Sequence, residues 1–359
     1  MLSVLLVLSV NQANFKQWGS ETLDQIRREL YLPETRLYAE DSSAKKASFN
    51  WPAGVMLSAL AAGARVEPKY KAWLREYADA TRVYWNKAGP VPGYDVLPVP
   101  KPKDRYYDDN AWMCLALIET YEVLGDKKYL KWAEEAFKFV WSGWDEKLGG
   151  GIYWRENEKK SKNTCSNAPA AAAAFRLYQF KHRGYKAKGA RIYDWTISKL
   201  LDQKTQLFSD SINLQGKVDP TKWSYNTALM IRAALEYQKC FDFAPEIRSP
   251  YYSARDWSDA ALKKWRDPST LILRDASPFA HLLFENLKLF SSDFDGLTPR
   301  ERLMSGLITM RRLNRDSAGH YGPNWQDIPP KDGYKPFRLI DQASAARAFF
   351  VAAMRYAAK

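Results

Sequence analysis

The sequence predicts an all-α protein, an (α/α)6 barrel in which six helical hairpins close into a toroid with short β-ribbons in the loops. Three observations carry this expectation. Helical periodicity runs through nearly all of the 359 residues, a hairpin-length unit repeats, and the first and last helices of the series are both apolar.

Candidate helices fall at 20–31, 52–65, 68–87, 108–124, 127–142, 166–182, 186–201, 222–242, 252–265, 278–291, 298–314 and 339–357. A tyrosine opens one helix of successive pairs, at Tyr70, Tyr129, Tyr185 and Tyr252, so the unit is roughly 60 residues long. An aspartate-led loop follows three of these helices, at Asp145, Asp202 and Asp267, and recurs at Asp316. An open solenoid would need polar capping helices. Here "GVMLSALAAGA" and "ASAARAFFVAAMRYAA" are apolar, which suits a last hairpin packed on the first. One domain over 16–359 is therefore expected, after an apolar stretch at 1–15 that reads either as a signal-like segment or as a plain buried one. Its run is too short to span a bilayer, and nothing else in the chain would cross one.

Composition narrows the function. A net charge of +13 raises the question of nucleic acid, but the basic residues are dispersed and no nucleic-acid-binding motif is present, so no nucleic acid partner is expected. Cys114, Cys165 and Cys240 are too far apart for a CxxC metal site or a disulfide framework. His182, His281 and His320 form no zinc pattern, and neither a metal nor a cofactor is expected. The 14 Trp and 21 Tyr build either core or a cleft that stacks on sugar rings.

The chemistry concentrates in "DRYYDDNAW", where Asp108 and Asp109 open a helix behind a proline-rich segment with five prolines between Pro90 and Pro102. That segment reads as a stiff loop walling a cleft. Aspartates at a helix start can simply cap it. Adjacent carboxylates can also approach the roughly 5–5.5 Å separation of a retaining glycosidase pair. The helix dipole would favour one as the anion, and that anion, with burial, would raise the pKa of the other.

The ordered set "YYDDNAW", "GDKKYLKWAEEAF", "WDEKLGGGIYW", "KNTCSNAPAAAAAFRLY" and "KWSYNTALMIRAALEY" resembles glycoside hydrolase family 76, the endo-α-1,6-mannanases with an (α/α)6 barrel. The resemblance runs from about Asn50 to Gln342. It implies a retaining enzyme that cleaves α-1,6-mannosidic linkages by double displacement, with Asp108 as nucleophile and Asp109 as general acid/base. An α-mannan oligosaccharide or polysaccharide would be the partner, acted on by a monomer that is secreted or periplasmic. A transglycosylase on the same site and a non-catalytic glycan-binding protein are the alternatives.

Further cleft residues are expected at Trp51 and Tyr107, which would stack on sugars or pack in the core, and at Trp154 after the glycine turn. Asn163 and Asn167 would cap a helix or bind mannose hydroxyls. Tyr225 and Asn226 keep the Tyr-Asn pair of a segment in which many members continue Gln-Gly. Here Thr227 and Ala228 follow, and Ala280-His281 replaces a common Lys-Gly, which puts the subsites in question.

Overall fold

In the computed structural model, which describes residues 12–43, 45–99, 103–182, 184–241, 250–290 and 299–354, twelve α-helices alternate with short β-ribbons. In chain order α1 spans Gln12–Leu30, α2 Asn50–Val66, α3 Lys71–Ala80, α4 Tyr107–Leu124, α5 Lys127–Ser142 and α6 Thr164–Lys181. Then come α7 Tyr185–Leu200, α8 Ser224–Gln238, α9 Pro250–Trp265, α10 Ser277–Phe290, α11 Pro299–Asn314 and α12 Leu339–Ala353. Each candidate helix is present, with changes of boundary: the one at 222–242 is Ser224–Gln238 and the one at 339–357 is Leu339–Ala353, its last residues 355–357 lying outside the described ones. α1 begins at Gln12, inside the stretch assigned to the apolar leader, whose residues 1–11 lie outside the described ones. The candidate at 68–87 yields only α3, flanked by 3-10 turns at Pro68–Tyr70 and Thr81–Tyr84. Beyond it Trp85–Asn86 forms β3, antiparallel to β4 at Gly93–Tyr94.

The chain divides into two compact units, Met1–Thr81 with Lys264–Lys359, and Arg82–Lys263. In the first, α12 packs against α1, α2 and α10. Every residue of α12 is buried, and so is nearly all of α2. Helices buried on all sides are mostly apolar all round, with Asp341 and Gln342 of α12 paired, so neither shows an amphipathic stripe. Arg347 of α12 makes a bidentate pair with Glu285 of α10, both bonds 2.7 Å and both residues buried. In the second unit α4, α6 and α8 pack in succession, with α5 on α4 and α7 on α6. α5 keeps the one-sided pattern of an outer helix, burying Tyr129, Leu130, Ala133, Ala136, Phe137 and Val140.

The aspartate-led loops are turns built on one interaction. A carboxylate oxygen accepts a backbone N–H two to four residues on: Asp145 from Lys147 at 3.1 Å, Asp202 from Lys204 at 3.0 Å, Asp267 from Ser269 at 2.9 Å and Asp316 from His320 at 2.8 Å. The turn at Asp202 closes the ribbon of β6 (Leu201–Asp202) with β7 (Leu207–Phe208), and those at Asp267 and Asp316 close single bridges. A further ribbon, β1 (Tyr31–Leu32) with β2 (Leu37–Tyr38), uses Pro-Glu-Thr in place of an aspartate, so the sequence pattern does not reveal it.

A second repeated device joins ribbon to helix. Four residues after each of four helix N-caps, a polar side chain reaches back to the preceding ribbon. Asn110 accepts from Tyr94 N at 2.7 Å and donates to Tyr94 O at 2.9 Å and Tyr106 O at 2.8 Å. Asn167 accepts from Ile152 N at 2.8 Å and donates to Ile152 O at 2.9 Å and Asn163 O at 2.8 Å. Gln342 brackets Tyr321 in the same way, both bonds 2.9 Å. Thr227, too short to bracket, accepts only the N–H of Phe208, at 3.3 Å.

Candidate active site

Both aspartates sit in the first turn of α4, in the second unit. Tyr106 is the N-cap, in extended conformation, and makes no side-chain cap bond. The first-turn N–H of Tyr107 is satisfied instead by Trp154 O at 2.9 Å. The aspartates are therefore not spent as the helix's N-cap.

Trp154 arrives on a short extended segment that lies between the two helix entries. Tyr153 bridges Lys162, Arg155 bridges Tyr106, Trp154 N donates to Ser161 O at 3.2 Å and Glu156 N donates to Arg105 O at 3.0 Å. Its indole N–H donates to Oδ2 of Asp108 at 3.0 Å, while the other oxygen, Oδ1, is buried and accepts no hydrogen bond. Beside the segment, β5 (Ser161–Asn163) pairs with β8 (Ser211–Asn213), which continues to β9 (Val218–Asp219).

No cation among the described residues pairs with Asp108 or Asp109. The nearby arginines are committed elsewhere: Arg105 grips Glu156 in two bonds of 2.9 and 2.7 Å, and Arg155 binds Asp104 at 2.8 Å. Burial therefore dominates both carboxyls. It raises the pKa of Asp108 to about 6, against the opposing pull of the Trp154 N–H, then the backbone N–H of Asp109, then the thiol of Cys165. Asp109 is held well above the usual carboxylate range by burial, then by the charge of Asp108, then by Asp104. Both carboxyls are thus shifted upward, and only Asp109 owes part of its shift to neighbouring carboxylate charge.

Cys165, Tyr225 and Asp210 complete the cluster. Burial raises the Cys165 thiol, and the charges of Asp108 and Asp210 add to it. Burial also raises the Tyr225 hydroxyl, again with Cys165, Asp108 and Asp210 contributing. Asp210 is itself raised by burial and receives Asn163 Nδ2 at 3.4 Å. Asn226 is fully buried and faces Asp210, with neither amide atom in a well-formed hydrogen bond. Asp210 escaped the sequence reading because "FSDSIN" carries no motif; its position just before β8 is visible only in the fold.

The other expected residues divide. Tyr225, Asn226, Asn163 and Trp154 are brought to the aspartate side of the second unit. Tyr107 is not a sugar platform: it is buried and stacked on Phe139 at 4.9 Å and 22°. Its neighbour Tyr106 is the half-buried one of the pair, edge-on to Trp154 at 5.1 Å. Asn167 has both amide hydrogens and its oxygen engaged by backbone, so it is a scaffold residue and not a mannose ligand. Thr227 likewise faces a ribbon. Trp51 belongs to the first unit, stacked on Phe279 at 5.9 Å, with its indole N–H buried and unpartnered. His281 lies in the core of that unit, held neutral by burial with a pKa lowered to about 4, its Nδ1 3.2 Å from Ser277 O. No group of three metal-ligating side chains occurs among the described residues. No described helix is long and apolar enough to cross a membrane.

A helical scaffold that presents a carboxylate pair beside aromatics is that of a glycoside hydrolase. The chain belongs to glycosyl hydrolase family 76, whose family model matches residues 29–238, and its fold class is the family's (α/α)6 barrel. A family 76 α-mannanase of Bacteroides thetaiotaomicron is 26% identical, with a TM-score of 0.88 over 97% of each chain. An α-1,6-mannanase of Salegentibacter sp. HEL1_6 is 22% identical, with a TM-score of 0.78 over 94% of this chain and 99% of that one. An inactive variant of that enzyme, two consecutive aspartates replaced by asparagine and α-1,6-mannotriose bound, is 20% identical over 94% of this chain and 99% of that one, at a TM-score of 0.77. No curated protein sequence matches the chain.

Proposed function

We propose that this glycoside hydrolase is a retaining α-mannanase that cuts α-1,6-linked mannose chains, with residues 16–359 acting as one catalytic domain. The observation that carries the reading is the Asp108–Asp109 pair: adjacent, unpaired by any described cation, and differently perturbed. Asp108, oriented by the Trp154 N–H, attacks the anomeric carbon through its free Oδ1 and forms a mannosyl ester. Asp109 gives its proton to the departing glycosidic oxygen. It then takes a proton from the water that hydrolyses the ester, which returns the anomeric configuration to α. Tyr106 and Trp154 offer the aromatic faces on which sugar rings stack.

The α-mannanases among the structural relatives support this substrate. So does the α-1,6-mannotriose complex, whose inactive protein lacks two consecutive aspartates. A polymeric glycan substrate also favours a secreted or periplasmic enzyme. The test is product analysis on debranched α-1,6-mannan with wild type, Asp108→Asn and Asp109→Asn. Mannose oligomers from wild type alone support the reading; cleavage by both variants overturns the site, and transfer products without hydrolysis overturn the hydrolase.

A further inference from the structure

Lys162 is an unusual cation: fully buried and surrounded by oxygen. Its ammonium donates to Asp145 Oδ1 at 2.5 Å, Gly150 O at 2.5 Å, Lys147 O at 2.7 Å and Asp145 O at 3.2 Å. It also lies 4.8 Å from the centre of the Tyr153 ring, and the Tyr153 hydroxyl donates to Asp145 Oδ2 at 2.7 Å. Burial lowers the lysine's pKa, with Asp145 opposing that fall. Three carbonyls of the glycine turn thus converge on one charge. Glycine is required there: Gly150 and Gly151 have φ of 128° and 92°, and a Cβ would come within 2.5 Å of Trp144 and Trp195.

The residue next to the gripped Tyr153 is Trp154, which touches both functional elements. Its carbonyl satisfies the Tyr107 N–H at the start of α4, and its indole holds Asp108. Resting on the reading of Asp108 as nucleophile, we infer that Lys162 is a positioning residue. Its ammonium closes the 145–153 turn and thereby fixes the Trp154 indole on the nucleophile's carboxylate. Without the ammonium the turn keeps the Asn167 bracket on Ile152 but loses the tie on three of its carbonyls, which leaves that indole freer to swing, and misplacement of order 1 Å costs about 10²-fold in rate. Asp108 is faced by Asp109 on its own helix, by Trp154 on the segment, by Cys165 on α6 and by Tyr225 on α8. Of these, only Trp154 is placed by the Lys162 cage.

The experiment compares Lys162→Met, Lys162→Arg, Asp145→Asn, Trp154→Phe and the double variant Lys162→Met/Trp154→Phe. Readouts are kcat/KM on α-1,6-mannan across pH and thermal melting, with Asp108→Asn as control. The expected result is an acid limb moved to higher pH in Lys162→Met and Trp154→Phe alike, with no further movement in the double variant. Lys162→Arg and Asp145→Asn, which keep a charge or the cage geometry, should shift it less. An acid limb unchanged in Lys162→Met despite a lowered melting temperature overturns the inference, as does full additivity in the double variant. If Lys162→Met does not fold, Asp145→Asn and the double variant Asp145→Asn/Trp154→Phe decide the matter: a smaller upward shift that adds nothing to Trp154→Phe supports the linkage, and an unchanged acid limb or full additivity overturns it. Activity retained by Asp108→Asn sinks the underlying assignment and not this linkage, so the two failures are distinguishable.

Discussion

The indole N–H of Trp154 and the Oδ2 of Asp108 meet at 3.0 Å, although the residues arise on different segments, one on the strand after a glycine turn and one in the first turn of α4. The contact leaves one carboxylate oxygen hydrogen-bonded and the other bare. It is also the largest of the donors that oppose the burial of Asp108, ahead of the Asp109 backbone N–H and the Cys165 thiol, and its loss has consequences.

The pH dependence of catalysis should be bell-shaped. Asp108 must be ionised, and its pKa is raised by burial to about 6, so activity should fall as pH drops through that region. Asp109 must hold a proton, and its pKa is raised further, so activity should also fall on the alkaline side. Trp154→Phe removes a donor that favours the anion and should move the acid limb upward. A profile of kcat/KM for wild type and variant checks both limbs.

The same shifts reverse the usual link between catalysis and stability. Both carboxyls have folded-state pKa values raised above the unfolded ones, so their contribution is fully favourable at low pH and is lost as pH rises through the folded values. Asp109→Asn removes that loss. Its melting temperature should exceed wild type's by roughly 1–2 °C at pH 8, if about 1 kcal/mol is recovered, and by less at pH 4. Differential scanning calorimetry at the two pH values measures the difference.

The two adjacent tyrosines should part company. Tyr106→Ala removes a half-buried aromatic face beside Trp154 and should raise KM for mannan oligosaccharides several-fold while moving the melting temperature less than Tyr107→Ala does. Tyr107→Ala empties a buried site against Phe139 and should cost about 3–5 kcal/mol of stability. Initial-rate kinetics beside urea denaturation separates them.

Asn167→Ala should behave as a scaffold variant. It leaves the buried N–H and C=O of Ile152 without side-chain partners, which costs about 1–3 kcal/mol for each unsatisfied group. KM per folded molecule should hardly change. A large rise in KM with unchanged stability would restore Asn167 to the ligand role first expected of it.

Helix existence was legible because burial patterns at period 3.6 are local, and the aspartate pair was legible because its members are neighbours in the chain. What failed was phase and partnership. "YYDDN" does not say which tyrosine faces outward; that depends on Tyr106 being the extended N-cap and Tyr107 the first helical residue. Asn167 has the residue type of a cap or a ligand, and only the ribbon at Ile152, fifteen residues earlier, shows it to be a bracket. Thr227 was read as a changed subsite for the same reason. Lys162 lies on a ribbon whose pairing is non-local, and Asp210 just before its partner strand, so no spacing rule points to them.

The most direct measurement is to trap the intermediate. Asp109→Asn would be given an α-mannoside with an activated aryl leaving group, which departs without acid assistance. Loss of Asp109 as the base then slows hydrolysis of the ester. Mass spectrometry of the protein and its peptides should find a mannosyl adduct on Asp108. An adduct on another residue, or a first product of inverted configuration with no adduct, would contradict the assignment.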